Sequence, residues 1–247
     1  NMTYNSLQMK VEKQFSQGLF FLSSFTWSKT LTDASSALSG FFSTSARDHY
    51  NRKLEKGLAQ FDVPARLVVA FNYELPIGPG KPAAGGATGA AAKILGGWQV
   101  NGIYTWQHGF PITITAADLG GLNDTFGTNR TNLVGDPKVD QRTVTRWFNT
   151  SAFVQPALGE LGNLGRNTVT MPGRATVDLS MMKNFDVTEQ AKLQFRFEAF
   201  NVFNRVNLGT PSRTVRNTSG VLNATAGRID NTVGTPRQLQ FALKLTF

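Results

Sequence analysis

Few residues of this chain have the spacing that catalysis or metal binding requires. The two histidines, His49 and His108, are far apart in sequence, with no pattern for sharing a metal ion. The chain has no Gly-x-Ser-x-Gly nucleophile motif. The segment 78–82 contains glycine and lysine but lacks the Gly-Lys-Ser/Thr ending of a phosphate-binding loop, so we interpret it as a turn. We therefore predict no enzymatic activity, no metal and no cofactor.

Two groups of charged or polar residues have alternative explanations. Asp118, Asn123 and Asp124 carry oxygens that suit Ca²⁺, but the polar composition of their loop explains them more simply. A second group lies on three successive predicted strands, and these side chains can pair across the strands and stabilise a wall: Asp178, Arg196, Glu198 and Lys244.

The composition excludes several classes of protein. The 247 residues include no cysteine, which rules out disulfide scaffolds and thiolate chemistry. The formal net charge is +9, but the basic residues are dispersed and form no nucleic-acid motif, so an anionic lipopolysaccharide surface fits better. No apolar stretch is long enough for a transmembrane helix.

Alternation of apolar and polar residues dominates the chain. Seven segments of about 10 residues show it, a length that crosses a bilayer at a tilt. In the sixth segment the alternation slips near Phe200, which suggests a β-bulge. We predict antiparallel transmembrane strands near residues 4–15, 19–29, 66–75, 98–107, 174–185, 192–203 and 237–247.

The connections between these strands alternate in length, as in outer-membrane barrels with short periplasmic turns and long extracellular loops. The long connections are 30–65, 109–173 and 204–236. With the long loops outside, aromatic residues fall near both membrane interfaces, where girdles are expected: Trp27, Trp98, Tyr104 and Trp106.

A secreted β-sandwich is the alternative fold, because its strands alternate too. The strand length, the bulky polar groups on one face and the final Phe247 favour the membrane barrel. Seven strands is an odd number, whereas bacterial single-chain barrels use even numbers. We therefore expect two open edges, at 4–15 and 237–247, and interpret the chain as the C-terminal part of a larger barrel.

Several runs resemble a known family. The segment Arg196–Gly209 resembles the penultimate strand of TonB-dependent outer-membrane receptors, and Gln240–Phe247 looks like their C-terminal insertion signal. The runs Phe61–Gly78, Gly97–Pro111 and Gly162–Arg174 are similar to the Oar-like branch, often described as carboxypeptidase-regulatory-like domain-containing. The resemblance implies a barrel of about 22 strands with a plugged lumen. The plug domain and the TonB-contacting box would lie toward the N-terminus, outside residues 1–247.

The resemblance implies a receptor that captures a ligand in its extracellular loops and takes it up with energy from TonB. Implied partners are TonB, the barrel-assembly machinery, and the lipid and lipopolysaccharide of the bacterial outer membrane. A structural or adhesive surface barrel is the alternative, and a passive porin comes third. The ligand class stays open among iron chelates, glycans, peptides and cobalamin. Candidates for ligand contact in the central loop, with loop packing as their alternative role, are Phe126, Asn129, Arg130, Asn132, Trp147 and Phe148.

The apolar row at the end of the chain predicts how the barrel inserts. Its members, interpreted as the membrane insertion signal, are Phe241, Leu243, Leu245 and Phe247. A charge placed at Phe241 or Leu243 should cost about 2–4 kcal/mol if the site lies near the bilayer midplane. Folding of Leu243→Arg into lipid vesicles, measured against the parent by heat-modifiable gel mobility, checks this. Equal insertion of the two proteins would contradict it.

Overall fold

The computed structural model describes residues 1–16, 18–34, 50–117, 119, 128–188 and 190–247. Its main element is a wall of long strands that hydrogen-bond in sequence order, each antiparallel to the next. The strands are β1 (Met2–Ser16), β2 (Leu19–Thr32), β3 (Ala65–Glu74), β4 (Trp98–Gln107), β5 (Arg174–Asp186), β6 (Lys192–Phe200) and β7 (Gln238–Thr246). The prediction of an all-β antiparallel fold is confirmed.

The strands β1 and β7 lie at the two edges of the wall, and within the described ranges they do not pair with each other. This matches the expected pair of open edges. Both strands run in the same direction, because an even number of antiparallel steps separates them in the strand order. They could therefore not close the wall through an antiparallel ladder, in which neighbouring strands run in opposite directions.

The sixth strand ends earlier than predicted, and the expected bulge near Phe200 is wrong. The strand stops at Phe200, and Asn201 and Asn204 follow with φ angles of 48° and 50°. Asparagine tolerates this left-handed backbone better than most residues. The Asn201 side chain then accepts from the Arg205 amide at 2.9 Å and donates to the Arg205 carbonyl at 3.0 Å. The alternation slips near Phe200 because the strand ends there, and the hydrogen bonds of Asn201 form the turn that follows.

The register gives the wall one apolar and one polar face. On the apolar face Leu67 lies beside Trp106, and Phe197 beside Phe241 with ring centroids 5.1 Å apart. Phe241 and Leu243 are 67% and 70% exposed, so none of the described residues covers the apolar face at this edge strand. The period of two in the sequence therefore becomes a continuous apolar surface.

On the polar face, side chains of adjacent strands bond to one another. The hydroxyls of Thr105 and Thr176 lie 2.7 Å apart, and Asn101 donates to Ser180 at 3.2 Å. The four charges expected to pair across strands behave differently. Asp178 accepts from the Asn201 amide, and Arg196 donates to Gln194 on its own strand. Among the residues described, these four charges form no ion pair with one another: Asp178, Arg196, Glu198 and Lys244.

The described parts of the three long connections fold together at one end of the wall. We call these parts the loop cap, and they comprise residues 50–64, 108–117, 128–173 and 201–237. Short strands organise it: Gly57–Leu58 with the end of β2, Pro111–Ile112 with Val169–Thr170, Thr115–Ala117 with Thr128–Arg130 and Thr214–Arg216, and Asn132–Leu133 with Phe153–Val154. Two 3-10 helices, Arg52–Glu55 and Thr150–Ala152, also lie in the cap.

The cap has a hydrophobic core of its own. Its centre is the edge-to-face pair Phe148 and Phe153, with ring centroids 5.6 Å apart and almost no exposed surface. The other buried members are Ile112, Ile114, Ala152, Leu164, Val169 and Val215. They come from two of the long connections, so burial of this apolar surface holds those connections together.

The opposite end of the wall carries the short turns and a short α-helix, Gly89–Leu95. None of the helices in the described ranges has the length and hydropathy to cross a membrane.

Glycine is required where cap backbones meet. A Cβ added at Gly109 would lie 1.9 Å from the Met171 carbonyl oxygen, and one at Gly162 would lie 1.8 Å from the Arg130 oxygen. Both glycines belong to runs that carry the family resemblance. At these two positions the chains pass so closely that any side chain would separate them.

Gly109→Ala should destabilise the cap by about 1–3 kcal/mol or more, since the added methyl group must displace backbone rather than a flexible side chain. Gly86→Ala is the matched control, because a Cβ there meets nothing within 4 Å. Hydrogen exchange of cap peptides in the refolded full-length protein measures the difference. Equal exchange rates in both variants would show that the close approach at Gly109 does not constrain the cap.

Candidate functional site

A buried charge cluster joins two of the cap's connections. It consists of Glu55, Arg130 and Arg166, whose side chains are 1%, 7% and 1% exposed. Arg130 donates to Glu55 Oε2, and Arg166 Nη1 lies 3.9 Å from the same oxygen. Glu55 belongs to the connection before β3 and the two arginines to the connection before β5, so the cluster binds these connections through one carboxylate.

Burial acts on the charge of one member of the cluster, Arg166. Desolvation lowers the pKa of Arg166 from its ordinary value, with Arg130 adding to that effect and Glu55 opposing it. Guanidinium groups titrate so far above neutral pH that Arg166 remains protonated there. Arg130 and Arg166 then share one buried carboxylate, that of Glu55. Without this carboxylate the two buried positive charges would lose their shared counter-charge.

Asn167, next to Arg166, adds one uncharged link between the same two connections and a further link within its own connection. Its side-chain amide donates to the Leu58 carbonyl at 2.6 Å. Its backbone amide donates to the Thr113 hydroxyl at 2.9 Å, and that hydroxyl donates back to the Asn167 side-chain oxygen at 3.0 Å. Asn167 has a φ of 54°, a conformation that asparagine adopts more readily than most residues. The Arg-Asn pair within the run Gly162–Arg174 is therefore a structural clamp.

Three of the predicted ligand contacts bond to other segments of the cap. Arg130 is the cation of the charge cluster that hydrogen-bonds to Glu55. Asn129 is 7% exposed, donates to the Glu160 carbonyl and accepts from the Gly162 amide. Asn132 accepts from the Asn163 amide at 2.8 Å. All three bind neighbouring loop segments, which is the alternative role that the sequence offered.

The two aromatic candidates also pack within the cap. Phe148 lies in the hydrophobic core at 1% exposure, so a ligand could reach it only by opening the core. Trp147 donates its indole N–H to the Thr170 carbonyl at 2.7 Å and lies under the Arg142 guanidinium, 5.2 Å from the ring centroid. Phe126 lies outside the described residues. Ligand contact by these residues stays a prediction.

The predicted interface aromatics all lie on the apolar face. Trp27 and Trp106 are near the cap end of their strands, and Tyr104 is one apolar-face position nearer the turn end than Trp106. Trp98 begins β4 at the opposite end and donates its indole N–H to the Ile94 carbonyl at 3.0 Å. The two levels match the expected girdles, whose contact with a membrane interface stays a prediction.

Sequence reasoning missed Lys183. Its position on β5 belongs to the apolar face, directly opposite Trp98 in the register. The ammonium donates to the Gly96 carbonyl and lies 5.2 Å and 4.7 Å from the centroids of Trp98 and Phe185. Only 1% of the residue is exposed. The signal in the sequence was a lysine at a position where the alternation predicts an apolar residue. In the structure its long side chain carries the ammonium to the Gly96 carbonyl, at the end of the strand.

The predicted insertion residues lie on the open edge strand. Leu245, Leu243 and Phe241 alternate on the apolar face of β7, opposite Leu193, Phe195 and Phe197 of β6. Phe247 follows β7 and is 94% exposed.

No three His, Asp or Glu side chains come together to hold a metal ion in the described part of the chain. Asp118, Asn123 and Asp124, the possible Ca²⁺ ligands, lie outside the described residues, as does His49. His108 packs edge-on against Trp106 with ring centroids 5.6 Å apart.

An alternating wall with one bare apolar face, one polar face and a cap at one end is the architecture of a barrel that crosses a membrane with strands. The family model for the outer membrane beta barrel domain matches residues 1–240, and the chain belongs to this family. It is therefore an outer-membrane β-barrel protein of the bacterial outer membrane, with its apolar face toward lipid and its polar face toward the lumen. No curated protein matches the sequence.

Glu55→Ala should destabilise the cap by about 3–5 kcal/mol, because removing the carboxylate leaves two buried cations without their shared partner. Asp230→Asn is the control: it removes one partner of the exposed Arg228–Asp230 pair, 2.6 Å apart, and such pairs contribute about 0–1 kcal/mol. Limited proteolysis of cap loops in the folded full-length protein distinguishes the variants. Equal cleavage rates would mean that the cluster does not hold the cap closed.

Proposed function

We propose that this barrel is a non-enzymatic receptor that captures a soluble ligand in its loop cap and takes it up through the lumen with energy from TonB. The observation that carries the proposal is the cap itself. The described parts of the three long connections form a folded unit with its own core and a buried charge cluster at 1–7% exposure. A binding surface needs such rigid support, because a ligand that must first order its loops loses affinity.

The polar face of the wall supports passage of a polar solute. Hydroxyl and amide groups of adjacent strands pair along it, as in Thr105 with Thr176 and Asn101 with Ser180. The two members of each pair hydrogen-bond to one another and carry no charge. A polar solute can therefore exchange hydrogen bonds with them, and they do not hold an ion in place.

Energy coupling through TonB is supported by sequence resemblance. The run Arg196–Gly209, which resembles the penultimate strand of TonB-dependent receptors, forms the asparagine turn described above. Oar-like runs supply both the close-packed Gly109 and Gly162 and the Arg166–Asn167 clamp. The proposal adds as partners TonB, the barrel-assembly machinery, and outer-membrane lipid and lipopolysaccharide.

Exposed apolar side chains on the cap favour a second candidate, an adhesive surface barrel. Leu158, Val134 and Val221 are 79%, 63% and 59% exposed. Apolar groups held out to water by a rigid unit are suited to contact with another surface. This candidate predicts binding at the cell surface without entry.

Uptake by cells separates the two candidates. Cells with and without the full-length gene are given labelled iron chelates, cobalamin, oligosaccharides and peptides, and accumulation is measured with and without TonB. The receptor predicts at least one class that accumulates only when both the gene and TonB are present. Surface-bound label that never enters, or accumulation that is unchanged without TonB, would reject TonB-driven uptake.

A further inference from the structure

Two arginines flank an amide at the point where the wall meets the cap. In the register, Gln107 of β4 lies opposite Arg66 of β3 on one side and opposite Arg174 of β5 on the other. All three are on the polar face, at one level across three adjacent strands. Neighbouring strands are about 4.8 Å apart, so the two arginine Cα atoms are separated by about 10 Å. Arginine side chains are long enough to bring both guanidinium groups over Gln107.

The two guanidinium groups have no anionic partner among the described residues, and both arginines are exposed. The guanidinium carbon of Arg174 lies 5.8 Å from the ring centroid of Phe110, a residue of the cap. The Arg174 side chain is therefore near the cap. The next positions inward on the polar face are uncharged: Val68, Thr105 and Thr176. The first carboxylate further along β5 is Asp178, which is bonded to the Asn201 amide.

The backbone that carries these residues is fixed. The amide of His108, next to Gln107, donates to the Ala65 carbonyl at 2.9 Å. Gly173, next to Arg174, packs so closely against the neighbouring strand that an added Cβ would lie 2.7 Å from the backbone carbonyl oxygen of Gln107. The backbone positions of all three side chains are thus set by the strand ends, so a ligand would have to order only the side chains and not the backbone.

We propose that Arg66 and Arg174, with Gln107 between them, form a binding site for an oxyanion group (carboxylate, phosphate or sulfate) of the captured ligand. Guanidinium groups bind such groups through two parallel N–H···O bonds. The Gln107 amide supplies a further donor, and the paired hydroxyls of Thr105 and Thr176 lie one position inward. The site faces the lumen, so its ligand is a soluble anion. This inference rests on the proposed capture of a ligand and specifies its chemistry.

Inorganic phosphate is the probe. Its binding to the full-length protein, folded in detergent micelles at low ionic strength, is measured by calorimetry for the parent, Arg66→Gln/Arg174→Gln and Arg66→Lys/Arg174→Lys. Arg205→Gln is the control for the loss of one arginine charge: in the part of the chain that the structure describes, this exposed cap residue shows only backbone hydrogen bonds. We expect the glutamine pair to weaken binding at least tenfold, the lysine pair to fall between, and Arg205→Gln to match the parent.

A footprint on the parent alone makes the test independent of variant folding. Phenylglyoxal modifies exposed arginines, and phosphate should protect Arg66 and Arg174 while leaving Arg205 reactive. Absent protection, or equal phosphate affinity of the glutamine pair and the parent, would overturn the site. The uptake assay and the phosphate assay test different proposals. Phosphate binding at Arg66 and Arg174 without TonB-dependent accumulation rejects only the proposed function. Accumulation with no phosphate binding rejects only the anion site.

Discussion

The structure depends on the antiparallel hydrogen-bond ladder of the wall. In a bilayer no water satisfies backbone N–H and C=O groups, so each strand that crosses must find its partners in its neighbours. The ladder fixes the register, and the register places every second residue on one face. Leu67 beside Trp106 and Thr105 beside Thr176 are two results of the same constraint, one toward lipid and one toward the lumen.

The cap is stabilised by different interactions from those of the wall. Its short strands of two or three residues supply few ladder bonds, so burial and polar clamps hold it together. Phe148 and Phe153 provide the apolar centre, and Glu55 holds Arg130 and Arg166. Buried charges of this kind contribute specificity of arrangement more readily than net stability, since the desolvation cost offsets the attraction. A cap that must hold one shape above a lumen has reason to keep such a cluster.

Two cationic sites in the wall show how position determines what a charge does. Lys183 is on the lipid face, where its ammonium must be satisfied by the chain itself, and it donates to the Gly96 carbonyl between two aromatic rings. Arg66 and Arg174 are on the polar face, and both are exposed. Lys183 lies at the turn end of the wall, whereas the arginines lie at the cap end, beside the proposed capture of a ligand.

The sequence alone determined the fold class, the seven strands of the wall and which face of each is apolar, because a period of two is a local property that a ladder converts directly into faces. It also marked the runs Gly97–Pro111 and Gly162–Arg174 as distinctive without giving their purpose. Only the tertiary structure decided that Gly109 and Gly162 are close-approach points, that Arg166 and Asn167 clamp the cap, and that Arg66 and Arg174 flank one glutamine. These facts join residues that are about 30 to more than 100 positions apart, and such distant pairings are set by register and packing, which no local pattern encodes.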